Sequence, residues 1–124
     1  ARYLAFLLDA PVDGSDHEAV LSRSSLEEMW EPEVPIGESP LGEGSMGLSF
    51  FLHDKHGARV VGHTGTQRAF YSFFYIDPTT GTGVIGAFNT GPGDDNGPDT
   101  DALRVETSRR VVDELFPALR ESDR

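Results

Sequence analysis

The feature that most limits what this chain can fold into is the run FYSFFYI at residues 70–76. All of its residues except Ser72 are aromatic or β-branched, a composition that favours a β-strand. A strand with one solvated face alternates between apolar and polar side chains, whereas this run is apolar on both faces. The sequence therefore predicts an interior strand that is covered on both sides.

Three other segments predict further strands, and they are residues 46–52, 59–67 and 83–89. Each is rich in β-branched or aromatic side chains. The turn segments at positions 54–57 and 77–81 are short enough to join neighbouring strands as hairpins. We therefore expect an antiparallel meander over residues 46–89.

Short helices are expected before this sheet. Residues 1–8 place leucines at helical spacing, and no capping residue precedes them, as expected of a chain that begins in the middle of a domain. Ser24 with Glu27 offers a capping box for a second helix that ends before Pro32. Residues 31–45 mix proline, glycine and glutamate and predict an irregular loop.

One longer helix is expected after the sheet, over residues 99–119. Asp99 or Thr100 can cap it, and its leucine, valine and phenylalanine residues form an apolar stripe that needs a surface to cover. Pro117 is expected to end or kink this helix, and residues 120–124 are expected to form a frayed tail.

These elements predict an α+β fold in which a C-terminal helix and short N-terminal helices pack on an antiparallel sheet. The 124 residues have room for one unit. Within it we expect helices and loop over residues 1–45, strands over 46–89 and the terminal helix over 99–119.

Composition excludes several classes of function. With 21 acidic and 10 basic side chains, the formal charge is −11, which argues against nucleic acid and anionic membrane surfaces as partners. No cysteine is present, so thiolate metal sites and a cysteine nucleophile are excluded. No apolar run approaches the ~20 residues needed to cross a bilayer. The compartment stays undetermined.

The segment GHTGTQ at residues 62–67 presents small and polar residues at the end of an apolar strand. Val60 and Val61 favour the strand, while Gly62 and Gly65 leave room beside the backbone for another chain or a ligand. This placement is typical of a binding or catalytic edge.

The order of these pieces resembles the C-terminal part of the serine hydrolases that include class C beta-lactamases, penicillin-binding DD-peptidases and related esterases. The matching pieces are the first helix, the strand at 46–52, the His63-Thr64-Gly65 motif, the Asp77-Pro78 turn, residues 83–89 and the closing helix. In that family the third motif is Lys-Thr-Gly or His-Thr-Gly, and it lines one wall of the active site.

The resemblance implies roles for the residues of the motif. His63 would help to orient substrate and proton transfer, Thr64 would hydrogen-bond the substrate, and Gly65 would let it lie close to the strand. The backbone N–H of Thr66 would be one donor of the oxyanion hole. Phe70 and Tyr71 follow the motif closely enough to contact a substrate at the rim of the active site, and Arg68 would meet either an anionic substrate group or only solvent. Ala69 stands where the family usually has glycine.

Two other motifs of the family are absent. Lys55 is the only lysine and Leu52 stands three residues before it, so there is no Ser-x-x-Lys nucleophile. No Tyr-x-Asn or Ser-x-Asn precedes the third motif. The chain is therefore expected to be one wall of an active site, inactive alone, whose partner is the missing N-terminal part of the same domain.

The implied parent activity is hydrolysis of an amide or ester bond in a small molecule or peptide through an acyl-serine intermediate, without cofactor or metal. Histidine in place of lysine at position 63 favours an esterase or peptidase over a beta-lactamase. The alternative is a non-catalytic binding or assembly module that has kept the fold.

Other patterns have simpler explanations than chemistry. His53 and His56 flank a turn, so joining them to His63 as a zinc site is a weak hypothesis. The acidic residues at positions 94–101 do not have the spacing of a known calcium loop. The carboxylates at positions 9–16 and 27–33 are typical of solvated surfaces.

Overall fold

A computed structural model of the chain describes residues 2–11, 16–67, 70–89 and 100–122. Two short helices precede a six-stranded sheet, and a long helical segment follows it. The helices are α1 (Arg2–Leu7), α2 (Arg23–Glu28), α3 (Thr100–Arg110) and α4 (Phe116–Ser122), with a π-helical segment (Val111–Leu115) between the last two. The strands are β1 (Val34–Ser39), β2 (Gly42–Met46), β3 (Phe51–Lys55), β4 (Ala58–Gln67), β5 (Phe70–Asp77) and β6 (Thr82–Phe88). Within the described ranges no helix is both long and apolar enough to cross a bilayer.

The six strands lie in sequence order, and every neighbouring pair is antiparallel. The α+β meander predicted from the sequence is confirmed. His56 and Gly57 form the turn between β3 and β4 with φ of 50° and 77°, as expected for a two-residue hairpin loop.

The C-terminal part of β5 is covered on both faces, as its composition predicted, whereas Phe70 and Ser72 near its start are exposed. Tyr71, Phe73 and Tyr75 are each 4% exposed and pack toward the C-terminal helices. Phe74 and Ile76 on the other face pack against a cluster that includes the N-terminal helices. The sheet is therefore the middle layer of the fold, with a hydrophobic core on each side.

The irregular loop expected over residues 31–45 is wrong, because β1 and β2 form a hairpin there. Proline and glycine suggested a loop, but Pro35 lies on an edge strand, where a missing N–H is tolerated. Gly37 and Gly42 have φ of 69° and 89°, so they accommodate a bulge and the end of the turn. The pairing of β2 with β3 outweighs the preference of proline and glycine for a loop.

The single strand expected over residues 46–52 is also wrong. β2 ends at Met46 and pairs with Phe51, the first residue of β3, so the chain reverses between them. The Gly47 N–H donates to the Phe50 carbonyl at 2.9 Å, and Ser49 adopts φ of 69°. A Cβ on Gly47 would lie 2.4 Å from the Met29 carbonyl oxygen, so only glycine fits this turn.

The capping box expected at Ser24 is not the one that the protein uses. The N-cap of α2 is Ser22, whose hydroxyl accepts from the Ser25 N–H at 3.2 Å. The helix therefore begins earlier than the Ser24 and Glu27 spacing suggested.

The irregularity predicted at Pro117 takes the form of the π-helical segment. The Phe116 N–H donates to the Val111 carbonyl, five residues back, which places Phe116 over Val111 in the core. Leu115 is consequently turned outward and is 42% exposed. Leu103, which was assigned to the apolar stripe, is 52% exposed. A regular helical period predicted both of these side chains incorrectly.

The frayed tail expected over residues 120–124 is wrong as far as Ser122, because Arg120 lies within α4 and holds a buried ion pair. Residues 123 and 124 lie outside the described residues. Its Nε donates to Asp77 Oδ2 at 2.6 Å, and the Asp77 side chain is fully buried. Its Nη1 also reaches the carbonyl oxygens of Lys55 and His56 at 3.4 and 3.3 Å. The end of the chain is thereby joined to two turns of the sheet.

Candidate active site

The His-Thr-Gly motif lies on a part of β4 that has a strand on one side only. β4 pairs with β5 from Val61 to Gln67, but its pairing with β3 ends at Gly62. Among the described residues no strand pairs with the other edge of β4 beyond that point. An extended ligand could therefore lie along this edge as an added strand.

The register shows which backbone groups point toward the open edge. Lys55 and Ala58 flank a two-residue turn, and residues in that position exchange both backbone hydrogen bonds. The N–H and C=O groups of every second residue of β4 then point the same way, and its pairings contain no register shift. Ala58 and Gly62 direct these groups toward β3, so Thr64 and Thr66 direct theirs past the end of β3.

His63 is exposed, and its ring lies against another aromatic side chain. The rings of His63 and Phe51 are stacked, with centroids 5.1 Å apart and an angle of 20° between the planes. No hydrogen bond to the ring nitrogens of His63 is formed within the described part of the chain. The imidazole is therefore positioned by packing while both nitrogens stay available to a ligand.

The two glycines of the motif have different reasons to be glycine. A Cβ on Gly62 would lie 2.4 Å from the Tyr75 ring and 2.5 Å from the Phe74 carbonyl oxygen. A Cβ on Gly65 would meet only the Ser72 hydroxyl, at 3.4 Å, which is an ordinary contact. Packing thus requires glycine at Gly62, whereas nothing in the described structure requires it at Gly65.

The rim residues are only partly described. Phe70 is 63% exposed and pairs with Gln67 at the end of the β4–β5 hairpin. Its ring is available to a ligand, and its predicted substrate contact stays a prediction. Arg68 and the neighbouring Ala69 lie outside the described residues.

The histidines do not converge on a metal. His53 is 3% exposed and bonds the Glu43 carbonyl, whereas His56 bonds the Asp113 carboxylate at 3.1 Å. No group of three or more histidine or acidic side chains suited to a metal occurs in the described ranges. Most of the acidic segment considered for calcium, residues 94–99, lies outside those ranges.

A cleft of about 420 Å³ beside α2 is lined by two arginines, and both already form hydrogen bonds with protein groups. Arg23 Nε donates to Glu27 at 2.8 Å and its Nη1 donates to the Leu7 carbonyl at 2.7 Å. Arg59 Nε donates to Asp54 at 3.0 Å. This cleft therefore offers a ligand less than the open edge of β4 does.

Sequence reasoning missed the contribution of Phe51. Phe51 begins β3, pairs with Gly62 and carries the ring that stacks on His63. No local pattern links two residues that lie 12 positions apart. Only the register of the hairpin brings them together.

The sequence profile of the Beta-lactamase family matches residues 1–108. Among solved structures, the chain is similar to the octameric penicillin-binding protein homologue from Pyrococcus abyssi, with a TM-score of 0.65 and 16% sequence identity. This similarity covers 90% of the chain and 23% of that protein. No curated protein matches the chain.

Proposed function

The chain belongs to the beta-lactamase family, and on this premise we propose that it forms one wall of the active site of a serine hydrolase. The parent enzyme cleaves an amide or ester bond through an acyl-serine intermediate. The nucleophile and its base lie outside these 124 residues, because the chain has no Ser-x-x-Lys. The resemblance drawn from the motif is confirmed at the level of family and fold.

The observation that carries the proposal is the direction of the Thr66 N–H, which points to the unpaired edge of β4. A substrate aligned along this edge brings its carbonyl oxygen to a fixed backbone donor. Such a donor stabilises the negative charge that develops on the oxygen in the tetrahedral transition state. It needs no reorganisation, because β5 holds the strand rigidly from the other side.

The neighbouring side chains supply orientation. Thr64, whose N–H and C=O face the same edge, hydrogen-bonds a polar group of the substrate. Gly65 keeps the strand surface free, which agrees with the absence of a packing reason for glycine there. The ring of His63 is held against Phe51, and in this proposal it assists proton transfer at the acyl group of the substrate.

The substrate we propose is an ester or peptide amide rather than a β-lactam. Lysine at the first motif position offers only hydrogen-bond donors, whereas a histidine ring nitrogen can also accept a hydrogen bond. His63 therefore suits proton transfer on an ester or amide better than pairing with an anionic substrate group. Phe70 and Arg68 at the rim would contact the remainder of it.

The test is to remove the Thr66 N–H while the pairing of β4 with β5 is kept. In a longer protein that carries Ser-x-x-Lys ahead of this chain, Thr66→Pro deletes the donor, and an edge position tolerates proline. Thr66→Ala keeps the N–H and is the matched control. We expect kcat for an activated ester to fall roughly 100- to 1,000-fold in Thr66→Pro and to change little in Thr66→Ala.

Thermal unfolding of both variants separates loss of the donor from loss of the fold. Equal activity of the two variants would refute the oxyanion role. Two further outcomes would count against the wider proposal. Turnover by the 124-residue chain above a His63→Ala control would place the nucleophile within it. A reading frame without Ser-x-x-Lys would favour the non-catalytic binding or assembly module instead.

A further inference from the structure

A second site lies between the sheet and α3, and Thr64 of the motif strand is part of its lining. It is a partly enclosed cavity of about 160 Å³. Its floor is formed by side chains of β3 to β5, and its walls are formed by α3 and the β1–β2 hairpin. An apolar cavity of about 150 Å³ is large enough to bind benzene, so this cavity can hold a compact organic molecule.

The lining is mostly apolar but contains the cationic side chain of Arg104, one nitrogen of which is unpaired among the described residues. The Arg104 guanidinium lies over the Tyr71 ring at 4.6 Å, and its Nη2 is 3.3 Å from Asp101 Oδ1. Its Nε is buried and finds no hydrogen-bond partner within the described residues. A buried donor left unpaired is costly, so an acceptor oxygen placed beside it is favoured.

The same cavity contains an acceptor on its floor. His53 contacts the Glu43 carbonyl through Nδ1 at 3.3 Å, and a carbonyl can only accept, so Nδ1 carries the proton. Burial lowers the pKa of His53, which keeps the ring neutral. Nε2 is then the acceptor nitrogen of a ring that lines the cavity.

Two residues connect the cavity to the motif. Thr64 lines the cavity from β4. Phe51 lines it from β3 while its ring stacks on His63 at 5.1 Å. A molecule in the cavity would therefore contact the side chain that positions the motif histidine.

We propose that this cavity is a ligand site for a small aryl or branched-alkyl molecule carrying one oxygen that accepts from Arg104 Nε, and that occupancy is transmitted to His63 through Phe51. The apolar body fills the space between Tyr71, Tyr75 and α3. An alcohol can also donate to His53. Binding in this cavity is measured without turnover, so its outcome is independent of the proposed hydrolysis.

The experiment is an NMR titration of the chain with benzyl alcohol and with ethylbenzene, which has a similar shape but no oxygen. Saturable shifts are expected for the ring protons of Tyr71 and Tyr75, accompanied by a shift of the His63 ring protons. Arg104→Met keeps the apolar stem and removes the donor. It should weaken benzyl alcohol roughly tenfold and leave ethylbenzene binding unchanged.

Arg109→Met is the matched control, because Arg109 is an exposed arginine on the same helix. Equal benzyl alcohol affinity in the two arginine variants would overturn the role of Arg104. Val105→Phe fills the cavity and should abolish binding of both probes. Absence of saturable shifts on Tyr71 and Tyr75, or undiminished binding in a folded Val105→Phe, would overturn the site. Binding without any shift at His63 would overturn its connection to the motif.

Discussion

Replacing Arg120 with methionine should destabilise the protein strongly, because it leaves Asp77 buried without its cation. The Asp77 side chain is fully buried and that of Arg120 is 12% exposed, so solvent screens the pair little. Methionine retains much of the apolar stem but none of the bonds to Asp77, Lys55 and His56. Breaking a buried pair by removing one partner costs about 3–5 kcal/mol. Among the described residues, the remaining hydrogen-bond donor to the Asp77 carboxylate is then the Thr79 N–H, 3.0 Å from Oδ1.

The loss should appear as a lower urea midpoint at unchanged slope. The total stability of a domain is about 5–15 kcal/mol, so the shift is large. Arg110→Met is the control, because Arg110 pairs with Glu106 at the exposed surface, and its midpoint should barely move. Adding Asp77→Asn to Arg120→Met should recover part of the loss, since no charge is then left unpaired. Equal midpoints for Arg120→Met and Arg110→Met would refute this reasoning.

The remaining predictions address the motif, the buried histidine and a helix cap. Gly62→Ala should lower the free energy of unfolding by about 1–3 kcal/mol by forcing the Tyr75 ring aside, while Gly65→Ala should leave it unchanged; equal urea midpoints for the two would contradict this. Burial lowers the pKa of His53 below its ordinary value of 6.5, so the stability tied to the neutral ring is present above that pH and is lost as the pH falls toward the folded-state pKa. His53→Gln should therefore flatten the pH dependence of unfolding in that window, and an unchanged slope would count against a buried neutral ring. Ser22→Ala should cost about 1 kcal/mol by removing the N-cap of α2, and Ser24→Ala, which retains that cap, is the comparison.

The local patterns of the sequence were sufficient where one signal dominated. The run around Phe73 is apolar on both faces, and such a strand is stable only in the interior of a sheet with a covering layer on each side. The hairpin loop at Gly57 and the turn after Asp77 followed from residues that favour turns. These features led to the meander and to the position of the His-Thr-Gly motif at a strand end.

Local patterns failed where a distant partner decided the conformation. The segment from Val34 to Met46 has poor strand propensity, and it is a hairpin because β3 offers a ladder to pair with. Leu115 fits a regular apolar stripe but is turned outward by the π-helical segment. Arg120 looked like part of a tail until Asp77 was placed beside it.

Local sequence patterns are enough to predict the antiparallel strands after residue 50, the closing helix and the candidate motif, because alternation, turn residues and helical periodicity act over a few neighbouring positions. Three features follow from the folded structure instead: Thr66 directs its N–H to an unpaired edge, Phe51 stacks on His63 and Arg104 lines a cavity next to the motif. Each of these depends on register and packing between segments that are far apart in the chain. No local preference of the residues involved encodes such a relation.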